Sequence, residues 1–124
     1  MLLAEFSIPI AAGQAVDPAI QTGVRELLQQ YSSAFERLDP NAVKKVQPSA
    51  DVENLRNAFK EMRALAITID EIKILSTDSA ITRAGCRVTQ TMTPKAGSKK
   101  TIVVMRVIRL RRQGTAWIID AFER

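Results

Sequence analysis

The sequence predicts an α+β domain in which three N-terminal helices pack on one face of a bent, four-stranded antiparallel sheet. Three observations carry this reading. Apolar residues recur at three- and four-residue spacing as far as Met62, and after Arg63 the period falls to two. The segments of period two are joined by short turns, which suit an antiparallel meander and leave no room for crossover helices.

Asp17-Pro18 opens the first helix: the carboxylate accepts orphan amides, and proline needs no donor in the first turn. Ile20, Val24, Leu27, Leu28, Tyr31, Phe35 and Leu38 then form one apolar stripe about five turns long, interrupted only by the helix cost of Gly23. Asp39-Pro40 repeats the cap and starts a short helix that ends before Pro48. Ser49 is expected to cap a third helix, with Asp51 in its first turn and Val52, Leu55, Phe59 and Met62 as its buried stripe. In the first strand Leu65, Ile67 and Ile69 alternate, and Ile72 and Ile74 continue on the opposite parity, as a β-bulge requires. Thr77-Asp78-Ser79 turns the chain. Thr82, Ala84, Cys86, Val88, Gln90 and Met92 then share one face of the second strand, and Ile81, Arg83, Arg87, Thr89 and Thr91 share the other. A loop through Pro94 and Gly97 leads to a strand from Thr101 to Arg112, and Gln113-Gly114 leads to the last, Ala116 to Phe122.

At 124 residues the chain has the length of one domain, expected over 17–124, with 1–16 as an N-terminal arm or linker remnant. That length buries roughly two-thirds of the unfolded surface. The absence of histidine excludes Ser-His and Cys-His nucleophile systems and His-ligated metals, and one cysteine excludes intrachain disulfides and multi-thiolate sites. Chemistry is left to carboxylates, Tyr, Lys, Arg and hydroxyls, and neither metal nor cofactor is expected. The net charge of +5 is uneven: residues 1–78 hold 8 basic and 11 acidic side chains, residues 79–124 hold 10 and 2. No stretch reaches the ~20 apolar residues of a membrane span. Residues 1–16 lack the basic start of a signal peptide. The cytoplasm is the default location, or an extracytoplasmic one for a chain cut from a longer membrane-anchored protein.

Val24-Arg-Glu-Leu-Leu-Gln-Gln-Tyr31-Ser-Ser-Ala-Phe35, Leu38-Asp39, Val46-Gln-Pro48-Ser49 and the closing Gly114-Thr-Ala-Trp117-Ile-Ile resemble the nuclear-transport-factor-two-like superfamily. This is a cystatin-like α+β cone that includes the SnoaL-like domains. The resemblance covers about residues 17–124. It implies a pocket between helices and concave sheet, and frequent homodimerisation through a sheet face. Such domains are often fused behind other bacterial domains, and the Ala-rich start fits the end of a linker. The resemblance implies no single activity, because the same fold hosts isomerases, cyclases, dehydratases, epoxide hydrolases and binding domains.

The candidate pocket residues are Tyr31, Phe35, Phe59, Cys86, Gln90 and Trp117, with Met92 in the register of Cys86. Cys86 also reads as a buried structural thiol, with no histidine to activate it. Asp120, in the apolar strand Ile118-Ile-Asp-Ala-Phe122, can serve as a general acid or base, as SnoaL-like cyclases resemble one another in using an acid from this sheet. It can equally pair with Arg106 or Arg109 and carry no chemistry. Tyr31 can donate to a developing oxyanion or simply line the core. Arg106, Arg109 and Arg111 are the candidate anion-binding set. With few aromatics nearby for base stacking, a nucleic-acid partner is disfavoured. The scarcity of catalytic side chains points to a small-molecule-binding or assembly module, dimeric through the sheet, for a small apolar or anionic ligand. The alternative is a lyase or isomerase with Asp120 as base and Tyr31 as oxyanion donor. A second is polyanion binding through the basic sheet.

Overall fold

Aspartate and proline set the first two helix starts as the sequence predicts. The computed structural model describes residues 17–78 and 80–123, so the arm expected at 1–16 lies outside the described residues. Helix α1 spans Pro18–Glu36, with the Asp17 carboxylate accepting from the Ala19 amide at 2.9 Å. It ends two residues short of the expected Leu38, because Leu38 turns to φ 53°. The Leu38 amide donates to the Phe35 carbonyl at 2.9 Å and the Asp39 amide to the Ala34 carbonyl at 3.1 Å, closing a Schellman motif. Glycine usually holds such a position, since a left-handed side chain costs about 1–2 kcal/mol. Leu38 offsets this by packing against the cluster of Ala34, Val43, Ala50, Phe59 and Leu65.

Asp39 then caps α2 (Pro40–Val46), its carboxylate accepting from the Ala42 amide at 3.1 Å. The cap of α3 (Val52–Lys60) is Asp51, which accepts from the Asn54 amide at 3.1 Å. Ser49, expected in that role, lies two residues earlier in a turn that the Ala50 amide closes on the Gln47 carbonyl.

The sheet is a meander of β1 (Met62–Thr77), β2 (Ile81–Pro94), β3 (Lys100–Gln113) and β4 (Ala116–Glu123), in that spatial order and antiparallel throughout. The parity switch of β1 is a bulge: the register shifts between Asp70 and Lys73, with Glu71 at φ 52°. Ile69 below it and Ile72 and Ile74 above it therefore all reach the core. A further shift between Arg109 and Leu110 leaves Asp120 without a partner on β3. β4 begins its pairing at Val107 and Glu123, so among the described residues Lys100–Arg106 is paired with β2 alone.

The helices cover the concave face. Val24, Leu27 and Leu28 of α1 bury against Ala84, Cys86, Ile108, Leu110 and Ile119. At roughly 1.5–3 kcal/mol per fully buried large aliphatic side chain, this cluster is the main source of stability. Gly23 is required by close approach: a Cβ there would stand 2.3 Å from the Trp117 indole nitrogen. No helix among the described residues is long and apolar enough to cross a membrane.

Candidate functional site

Where β4 stops short, the concave face is left open and a cavity of about 310 Å³ forms. Its lining is dictated by strand parity. Ile67 and Ile69 of β1, Val88 and Gln90 of β2, Val104 and Arg106 of β3 and Phe122 of β4 lie on one face of the sheet. Tyr31 and Phe35 descend from α1, one turn apart, and Gln47 closes the side from the end of α2. The Tyr31 ring is 4.7 Å from Phe35 and 5.6 Å from Phe122, centroid to centroid, and Phe35 meets Phe59 edge-on at 5.6 Å.

Of the residues expected to line one pocket, Tyr31, Phe35 and Gln90 do so, and the other three stand elsewhere. Phe59 supports Phe35 from behind. Cys86 is buried in the main core on the face shared with Ala84, and burial pushes its thiol up. Trp117 lies over Gly23 beside a separate hollow of about 260 Å³, with Arg112 stacked 4.9 Å from its ring centre. Gln47, Arg106 and Phe122 are the lining residues that the sequence reading does not select as pocket. Arg106 carries a usable signal, since it shares parity with the core residues Ile108 and Leu110. Phe122 and Gln47 carry none, one following a bulge and the other a helix end.

Burial pushes the Tyr31 hydroxyl up to about 12, against the opposing pull of the Arg106 charge. Tyr31 is therefore a protonated hydrogen-bond donor at neutral pH. Arg106 is exposed at the mouth, and among the described residues no carboxylate lies within ion-pair distance of it. The pocket thus offers a guanidinium, a hydroxyl and two primary amides above apolar walls.

Arg83, Arg87, Arg109 and Arg111 face outward. Arg83 donates to both oxygens of Glu123 at 2.9 Å, and Arg87 to both oxygens of Asp70 at 3.0 Å. Arg87 also reaches Glu71 at 2.6 Å, and Arg109 stands 4.0 Å from Glu123. The candidate anion set is consequently divided, with Arg106 on the cavity side and Arg109 and Arg111 on the convex side. The Asp120 carboxylate accepts from Arg111 at 3.2 Å, not from Arg106 or Arg109 as the sequence suggests. The bulge explains this: its extra residue places Ile119 and Phe122 on the core face and brings Asp120 to the arginine of the convex side. Asp120 and Tyr31 are not brought together in one cavity.

Two further hollows bracket the sheet. One of about 440 Å³ between α1 and β1 is walled largely by polar residues, Arg25, Gln29 and Glu36 among them. One of about 320 Å³ on the convex face has Leu75, Gly85, Met105 and Val107 in its walls, with Glu71, Lys73, Cys86 and Arg106 at its borders. Among the described residues, no group of three or more His, Cys, Asp or Glu is placed to hold a metal ion.

No family model and no curated protein matches the chain in sequence. Solved structures match it in fold. A candidate aromatic ring hydroxylase from Novosphingobium aromaticivorans superposes with a TM-score of 0.76 at 16% identity, covering 86% of this chain and 89% of its own. A candidate dehydratase of the NTF2-like family from Streptomyces avermitilis gives 0.72 at 10% identity, over 86% and 96%. A nuclear transport factor 2 (NTF2-like) superfamily protein from Salmonella enterica gives 0.69 at 12% identity, over 85% and 89%.

Proposed function

We propose that this chain, which has the NTF2-like fold, is a small-molecule-binding module that holds its ligand in the Tyr31 cavity without turning it over. The single observation that carries the reading is the cavity lining. Apolar walls and a few convergent polar groups are what a ligand site needs, while no carboxylate, thiol or imidazole lines it among the described residues. Its one ionisable hydroxyl stays protonated until far above neutral pH, so no group in the lining can act as a general base there. The paired arginines of the convex face argue against polyanion binding, because their charges are already answered by Asp70, Glu71, Asp120 and Glu123. The names of the hydroxylase-like and dehydratase-like neighbours favour a second reading, a lyase or isomerase. With Asp120 held by Arg111, that reading rests on Tyr31 as oxyanion donor and needs a base from outside the described lining.

A panel of small apolar compounds, followed by amide and methyl NMR shifts, tests the proposal. Shifts should centre on Tyr31, Val88, Val104 and Phe122, each compound should be recovered unchanged, and Val104→Phe should abolish them while the protein stays folded. Product formation would favour the second reading. Shifts spread evenly over the surface would remove both.

The same module is proposed to pair with a second copy through the convex face. Leu75, Val103 and Met105 stand there 49%, 57% and 68% exposed, an apolar strip that a monomer leaves in water. Sedimentation equilibrium should give twice the chain mass, and Met105→Asp should give the single mass.

A further inference from the structure

We infer that the cavity is selective for a small apolar monocarboxylate, bound head-out on Arg106 with its tail among the aromatic side chains. The inference rests on the binding reading above and specifies its ligand class. The other arginine side chains of β2 and β3 are committed: Arg83, Arg87, Arg109 and Arg111 to carboxylates, and Arg112 to the Trp117 ring. Arg106 lies on the concave side, has no such partner among the described residues, and lines the cavity. A guanidinium at a mouth remains hydrated while the site is empty, so it imposes no burial penalty on the free protein. When a carboxylate arrives, the planar fork can meet both oxygens, and water leaves as the apolar tail enters.

The remaining polar groups fit the same head. The Tyr31 hydroxyl lies close enough to Arg106 to feel its charge, and being protonated it donates to an anion. Gln90, beside Val88 on β2, and Gln47 add amide donors at the rim. A single cation in the lining matches one negative charge, which disfavours phosphate dianions and dicarboxylates. Size limits the tail. About 310 Å³ is the liquid volume of roughly ten water molecules, so the ligand has on the order of ten non-hydrogen atoms. Phenylacetate and octanoate are of this class.

Titration calorimetry with phenylacetate and with phenylacetamide, its neutral isostere, tests the inference. Wild type should bind the acid at least about tenfold more tightly than the amide. Arg106→Gln should erase that preference by weakening the acid alone, and Tyr31→Phe should weaken the acid several-fold. Lys73→Gln, a change of equal charge at the convex hollow, should alter neither. Equal affinity for acid and amide would overturn the carboxylate preference and leave the binding reading standing. So would an Arg106→Gln protein that keeps the preference. Failure of both compounds to bind a folded wild type would overturn the inference, while the neutral-compound shifts described above would still judge the binding reading on their own.

Discussion

The two halves of β3 have opposite fates, and the half richer in apolar residues, with Ile102-Val-Val-Met105, is the more exposed. From Val107 to Gln113 the strand has a neighbour on each side, and Ile108 and Leu110 are fully buried under α1. From Lys100 to Arg106 it has β2 alone, and Ile102, Val103 and Met105 remain in solvent. Burial here follows from the face a side chain takes and from how far β4 pairs, rather than from side-chain type: Val103 and Met105 lie on the convex face, and Ile102 shares the face of Ile108 but stands beyond the last pair with β4. One half builds the core, and the other leaves exposed apolar side chains and, among the described residues, one guanidinium without a carboxylate partner.

The largest effect should come from breaking the covered half. Leu110→Ala should lose about 2–5 kcal/mol in urea denaturation, and Met105→Ala in the open half about 0.5 kcal/mol or less in the monomer. A comparable loss at Met105 would mean that a second copy covers it in solution. Next is Tyr31, the one wall residue whose ionisation is clearly displaced. Its stabilisation is fully present below pH 10, and between pH 10 and about 12 the unfolded chain ionises while the folded chain keeps its proton. Stability should therefore fall with rising pH through that window, by up to about 3 kcal/mol at ~1.4 per unit, and Tyr31→Phe should remove that part of the alkaline slope.

Gly23→Ala tests how tightly β4 is held against α1. Its methyl would drive into Trp117, and overpacking of this kind costs about 1–3 kcal/mol, readable as a lower melting temperature. The smallest effect belongs to the convex ladder. Hydrogen bonds from Arg87 hold the Asp70 carboxyl below its usual 3.8, so the pair stabilises above that value and is lost as pH falls through the lowered one. Arg87→Met should lower stability slightly near neutrality and make acid unfolding shallower, with no change below the lowered value.

Much of the fold is readable from chemistry that acts locally. Asp17-Pro18 and Asp39-Pro40 announce helices because cap and φ are properties of two residues. The reversal of parity between Ile69 and Ile72 announces a bulge because the side chains must alternate around it. The second bulge is silent, since Ile118, Ile119, Ala121 and Phe122 are apolar on either side of Asp120 and no alternation breaks. The orientation of Asp120, on which the acid–base alternative depends, was therefore not recoverable from the pattern. Arg106 was separable from Arg109 and Arg111 by parity, but its lack of a partner depends on β1 and β4 carboxylates that sequence distance conceals. Trp117 reads as a pocket aromatic until Gly23 is seen opposite it.

Asp39 belongs to two helices at once: its amide closes the end of α1 and its carboxylate starts α2. Just before it stands Leu38, left-handed and packed against the second cluster. The joint thereby fixes the direction of α2 relative to α1, and one aspartate decides that Gln47 from one helix meets Tyr31 and Phe35 from the other around a single cavity.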